Sequence, residues 1–115
     1  MALDPNCLFC KIIEGDIPAT IVYRNENVLA FRDLNPQAPT HVLIVPTLHV
    51  ENVGQLAKVS SVMAAALLAA AAEIADAEGL DGYRTLFNTG ESAGQSVFHA
   101  HLHLLGGRTL HWPPG

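Results

Sequence analysis

Three of the chain's six histidines, His99, His101 and His103, stand at alternate positions inside the run Gly94 to Gly107. Successive side chains of an extended strand point to opposite faces. The spacing therefore predicts one face carrying all three imidazoles and another carrying Phe98, Ala100, Leu102 and Leu104. Neighbouring rings on the first face would lie roughly 6 to 7 Å apart, close enough to surround one small anionic or metal-centred group. Three readings fit this pattern. The face could be plain solvated surface, or an H-x-H pair could present two imidazoles to a transition metal, although no carboxylate accompanies it. Alternatively, a neutral imidazole attacks an electrophile while its neighbours bind the charge and shuttle protons.

The two cysteines, Cys7 and Cys10, form a single C-x-x-C. That spacing suits a metal ligand pair, a redox pair or two buried thiols. No strand precedes the motif as a thioredoxin-like arrangement requires, which weakens the redox reading.

Composition bounds what these groups can serve. A chain of 115 residues is one domain by length, residues 1–115, and needs no disulfide framework to bury a core. Hydrophobic residues make up 50% and charged residues 15%, which points to burial of one flank in an oligomer. A formal charge of -5 with six Lys and Arg excludes a nucleic-acid surface, which needs clustered cations. The longest apolar run, Val62 to Ala72, has 11 residues and is too short to span a bilayer. Met1 to Pro5 lacks the basic start and apolar core of a signal peptide, so the expected location is the cytoplasm, with no membrane partner.

The elements that must position the chemistry follow from periodicity and punctuation. Cys7 to Glu14 has helix-like apolar spacing and stops at Gly15. Thr20 to Arg24 and Val28 to Arg32 read as a hairpin, and the proline-bearing stretch Asp33 to Pro39 reads as a loop. His41 to Val45, nearly all apolar, predicts a central strand covered on both faces. One long helix is expected from about Gln55 to Glu78, stopped by Gly79. Tyr83 to Asn88 alternates as a strand, Thr89 to Gly94 is a Gly-rich turn, and the histidine strand follows. The result is an α+β domain with a five-stranded, mainly antiparallel sheet, one long helix and one short one.

The run Asn88-Thr89-Gly90-Glu91-Ser92-Ala93-Gly94-Gln95-Ser96-Val97-Phe98-His99-Ala100-His101-Leu102-His103 resembles the histidine triad family. The ending Gly106 to Gly115, with Trp112-Pro113-Pro114, is similar to the nucleotide-binding phosphoramidase branch of that family. Cys7-Leu8-Phe9-Cys10, Pro18-Ala19 and Ala30 to His41 fit as well. The resemblance implies a homodimer whose two sheets join into one, with a purine mononucleotide on each subunit. It makes His101 the nucleophile toward the α-phosphorus of a substrate such as adenosine 5′-phosphoramidate. His103 and Ser96 would hold the phosphate or protonate the leaving amine, Gln95 and Val97 would add phosphate-side contacts, and His41 would support from behind His101. Asp33 would take the ribose hydroxyls, Phe31 and Leu34 would line the base pocket, and Asn88 would join its rim. Trp112 would reach the partner's active site.

Catalysis in this family needs no cofactor, whereas some relatives bind a structural zinc with the equivalents of Cys7, Cys10, His49 and His99. His99 would then be shared between zinc and pocket. Departures are modest: Thr47-Leu48 stands where lysines are common, and Phe98 where Tyr is common. Two rival activities remain at this level, a dinucleoside polyphosphate hydrolase and a nucleotide-binding regulatory dimer with little turnover.

Overall fold

The computed structural model describes residues 3–115, which form a five-stranded antiparallel sheet in the order β1-β2-β3-β5-β4 with helices on both faces. In chain order the elements are α1 (Leu8–Ile13), β1 (Ile21–Arg24), β2 (Val28–Arg32), β3 (Thr40–Pro46), α2 (Val53–Val59), α3 (Ser61–Ala77), β4 (Tyr83–Leu86), a 3-10 turn (Glu91–Ala93) and β5 (Leu102–Gly106). The α+β expectation with five antiparallel strands holds.

β3 is buried along its whole length because both faces are covered. Val42 and Ile44 join Val28, Ala30, Leu102 and Leu104 on the face packed against Leu56, Leu67, Ala70, Ala71 and Ile74 of α2 and α3. Leu43 and Val45 join Leu29 and Phe31 on the other face, against Phe9 and Ile12 of α1. Ala70 and Ala71 of α3 are buried in this cluster, where small side chains suit close helix-on-sheet packing. Each fully buried Leu, Ile or Val contributes about 1.5–3 kcal/mol of burial free energy, so this two-sided core is the main source of stability.

The expected single long helix is two helices. Ser60 sits in extended conformation (φ -153°, ψ 95°), where its N–H bonds Leu56 O and ends α2 while its side chain accepts from Met63 N–H and starts α3. A serine hydroxyl competes well for backbone donors, and alanine-rich flanks hide that competition from a propensity reading.

The histidine strand is also shorter than expected. Its ladder with β3 pairs Ile44 with Leu102, and two further steps would bring Pro46 opposite Ala100. Pro46 has no N–H to donate, so regular pairing stops. Ala100 N–H bonds Val50 O instead, at 2.8 Å, and Phe98 is 43% exposed rather than part of the core. His99 and His101 thus precede the strand, and only His103 lies on it.

Ser60→Ala is expected to cost about 1 kcal/mol in urea unfolding, and Ser60→Gly only a few tenths, because Gly tolerates the cap geometry. Equal costs for the two would show that the break depends on packing rather than on the cap.

Candidate active site and metal seat

Strand register brings the catalytic candidates to the α1 face of the sheet. Phe31 pairs with Leu43 and Leu43 with His103, so these three form one row across β2, β3 and β5. His41, two residues before Leu43, shares their face. Phe31, Asp33, Leu34, Ser96, Val97, His101 and His103 line one cleft of about 290 Å³. Its apolar wall comes from Leu8, Phe9 and Ile12 of α1, from Ile17, Pro18 and Ala19, and from Leu43. None of these wall residues was among the sequence-derived site residues. For Leu8, Phe9 and Ile12 the residue-level signal was the helical spacing of α1, which says that a face is buried but not against what.

Hydrogen-bond partners fix which nitrogen of each ring carries a proton. His101 Nδ1 lies 2.7 Å from the carbonyl oxygen of His99, an acceptor only, so Nδ1 is the donor and Nε2 of the neutral ring holds a lone pair. His41 Nδ1 accepts the backbone N–H of Gln37 at 3.0 Å, so its proton is on Nε2. That Nε2 lies 2.9 Å from His103 Nδ1 and 3.4 Å from Asp33 Oδ2. His103 Nδ1 is therefore the acceptor, and its proton sits on Nε2, a buried atom with no protein partner. A buried donor without a partner is costly unless something else receives its bond, and here it lies beside the cleft. His101 and His103 have ring centroids 5.0 Å apart. One cleft thus holds a bare ring nitrogen beside an unpaired N–H.

Burial keeps all these rings neutral. It pulls His101 and His41 below the ordinary imidazole value, with Asp33 opposing in both cases. It lowers His103 to about 4, helped by the nearby His101 and His41. Neutral imidazole is the nucleophilic form, so the environment favours the chemistry near neutral pH.

His99 is placed apart. It is completely buried, does not line the cleft, and gives its Nε2–H to Pro46 O at 3.0 Å. Its Nδ1 lone pair faces Cys7 Sγ at 3.5 Å, Cys10 Sγ at 3.4 Å and His49 Nδ1 at 3.2 Å. Cys10 Sγ lies 3.3 Å from His49 Nδ1, and the four ligand atoms fall within 4.8 Å of one another. Tetrahedral zinc, with bonds of roughly 2.3 Å to sulfur and 2.0–2.1 Å to nitrogen, has edges of about 3.6 Å for S···N and about 3.3 Å for N···N. The donor set matches that tetrahedron. Both sulfurs also accept backbone N–H bonds, Cys7 from Cys10 and Cys10 from Asp4, which stabilise thiolate charge. Burial, with the neighbouring Cys7 and the charge of Asp4 adding to it, pushes the Cys10 thiol up to about 11, and a bound cation would invert that preference.

Other expectations fare differently. His41 stands against His103, not behind His101. Asp33 uses Oδ1 to accept Asn35 N–H at 2.8 Å, which closes its own turn, and leaves Oδ2 toward His41 and the cleft. Leu34 stands at the cleft rim, 99% exposed. Asn88 and Gln95 do not line the cleft. Gln95 is buried and braces the loop from behind: its side-chain oxygen accepts Gly90 N–H at 2.9 Å, while its amide donates to Glu51 O at 2.8 Å and Val97 O at 3.1 Å. Gly94 closes the preceding turn at φ 96°, which a side chain would strain. Trp112 is 82% exposed on the tail, which Arg84 ties down through His111 O.

Such a five-stranded sheet, with a histidine pair of opposed tautomers in one cleft and a cysteine–histidine seat next to it, defines a class. The HIT domain pattern matches residues 14–110, and the chain belongs to the HIT family. It is 51% identical to the 14 kDa zinc-binding protein of Zea mays, over 97% of this chain and 90% of that protein. It is 46% identical to the purine nucleoside phosphoramidase of Escherichia coli K12, over 90% of this chain and 88% of that protein. Among solved structures, a HIT family hydrolase from Legionella pneumophila superposes with a TM-score of 0.92 at 53% identity, covering 96% of this chain and all of that one.

His103 titrates near 4 in the fold against 6.5 for a free imidazole, so the unfolded chain takes up a proton that the folded chain refuses. Its contribution to stability is complete above pH 6.5 and lost as pH falls toward about 4. The urea midpoint should therefore drop between pH 7 and pH 5, and drop less in His103→Gln. Parallel losses in both proteins would remove His103 from that account.

Proposed function

We propose that this protein hydrolyses purine nucleoside 5′-phosphoramidates through a nucleotidyl-histidine intermediate. The observation that carries the proposal is the opposed tautomer pair, the lone pair of His101 Nε2 beside the unpaired His103 Nε2–H in one cleft. The phosphoramidase relative at 46% identity supports the choice of substrate class.

His101 Nε2 attacks the α-phosphorus, a phosphorus–nitrogen bond breaks, and the amine departs with a proton relayed through His103 or the Ser96 hydroxyl at the cleft mouth. Positive charge that develops on the His101 ring is met by the His99 carbonyl at Nδ1. Water then attacks the phosphorus, releases the nucleoside monophosphate and restores the ring. Burial serves this sequence, because the neutral ring is a nucleophile and the dry surroundings strengthen each hydrogen bond to the phosphoryl oxygens. Phe31, Leu34 and the α1 wall offer apolar surface to a base, and Asp33 Oδ2 offers an acceptor to ribose hydroxyls. No metal takes part in these steps.

The proposal includes a homodimer. β4 is an outer strand of the sheet, Tyr83 on it is 45% exposed, and Val62 and Leu68 of α3 are 69% and 53% exposed, which gives a second copy an apolar flank to cover. Trp112 would then reach the partner's cleft and shape the choice of leaving group. Cys7, Cys10, His49 and His99 would hold a structural zinc, a reading that the zinc-binding name of the maize relative supports. Among the described residues no helix is long and apolar enough to cross a membrane.

AMP release from adenosine 5′-phosphoramidate should fall roughly 10³-fold or more in His101→Ala. Equal release by variant and wild type would refute the nucleophile, and preferential cleavage of diadenosine polyphosphates would move the activity to that class. Metal analysis should find near-stoichiometric zinc in the wild type and little in Cys7→Ala; unchanged zinc would exclude the four-ligand seat.

A further inference from the structure

We propose that the Cys7–Cys10–His49–His99 seat positions the catalytic imidazole, with Phe9 as the positioning residue that couples the two. The inference rests on the nucleotide reading of the cleft and adds to it a dependence on α1.

The geometry joins the seat to the cleft by two routes. The first is backbone. His99 aims its Nδ1 at the two sulfurs and at His49, while its own carbonyl oxygen receives His101 Nδ1–H at 2.7 Å. Whatever holds the His99 ring also holds the carbonyl that selects the His101 tautomer. Were that carbonyl to turn away, His101 would lose the acceptor that keeps its proton on Nδ1, and Nε2 would spend part of its time protonated.

The second route is the helix. α1 has only six residues, with the thiol of Cys7 at its N-cap and that of Cys10 within it. An isolated helix of this length does not persist in water, so tertiary attachment must hold it. Its thiols serve the seat, and its other side chains, Leu8, Phe9 and Ile12, form a wall of the cleft. Phe9 is 5% exposed, and its ring stands edge-on to three neighbours. The centroid distances are 5.1 Å to His101 at 88°, 6.1 Å to His99 at 70° and 5.4 Å to Phe31 at 69°. Edge-on packing is directional, so Phe9 restrains the tilt of His101 as well as filling space. Cys7 and Cys10, held together with His49 and His99 by a shared metal ion, would therefore fix the base-pocket wall and the nucleophile's orientation together. A supporting residue one step removed from a reacting or ligating group typically changes affinity or activity by about 10–100-fold, and that is the range expected here.

The test uses the intact chain labelled with nitrogen-15 at histidine. Zinc-loaded wild type should show His101 with its proton on Nδ1. Stripping the metal with a chelator should shift that signal toward mixed tautomers, and adding zinc back should restore it. In Cys10→Ser zinc should not restore it. A His101 tautomer unchanged in metal-free protein that remains folded by circular dichroism would overturn the coupling. Phe9→Leu covers the case in which the metal-free chain unfolds, since it keeps both thiols and nearly the same apolar volume. Its zinc content should match wild type while its AMP affinity falls about tenfold. Unchanged AMP affinity in Phe9→Leu would equally overturn the proposal. If wild type binds no AMP but the tautomer still follows the metal, the nucleotide reading fails and the coupling stands.

Discussion

A fully buried imidazole must satisfy both of its ring nitrogens, and His99 does so in a way that organises everything near it. Its Nε2–H takes the carbonyl of Pro46, where the sheet ladder has just ended for want of a proline N–H. Its Nδ1 meets two thiols and a second imidazole, a cluster of lone pairs that repel one another unless protons or a cation lie between them. Its carbonyl sets the proton position on His101. One residue thus joins the end of β3, the cysteine–histidine cluster and the His101 ring.

The sheet acts as a partition. Alternation along β3 sends Val42 and Ile44 to the α2–α3 side and His41, Leu43 and Val45 to the α1 side, so one strand supplies both a hydrocarbon core and a reactive surface. Membership in the HIT family gives this arrangement its context, because all three similar proteins named above cover nearly the whole chain. Low charge and burial are of a piece with the chemistry. Imidazoles in dry surroundings stay neutral, so a ring lone pair and a ring N–H can stand side by side without mutual repulsion.

Much of the scaffold was legible in the sequence. Val28 to Arg32 is a strand with the expected bounds, His41 to Val45 lies inside the buried β3, and Gly15 follows the first helix turn as its stop. Ser60 was not legible as a break, since it interrupts a strongly helix-forming neighbourhood only by ending α2 with its backbone N–H and starting α3 with its hydroxyl. Phe98, expected on one face with Ala100, Leu102 and Leu104, is exposed instead, because its segment has no ladder to enforce alternation. Gln95 and Asn88 belonged to the expected substrate set, yet Gln95 spends its amide on bracing the backbone and neither residue lines the cleft.

By itself the sequence determined the inventory: three alternating imidazoles, a C-x-x-C at metal-ligand spacing, an acidic loop residue at Asp33, and the apolar periodicity that buries them on an α+β sheet. These are local properties, set by residue type and by the pitch of strand and helix. Only the tertiary structure decided the division of labour, because that depends on contacts between residues far apart in the chain. Pro46 released His99 from the strand, the backbone of Gln37 fixed His41 and through it His103, and α1 carried Phe9 to His101. A tautomer is chosen by whichever donor or acceptor folding brings to the ring, and spacing along the chain does not encode it.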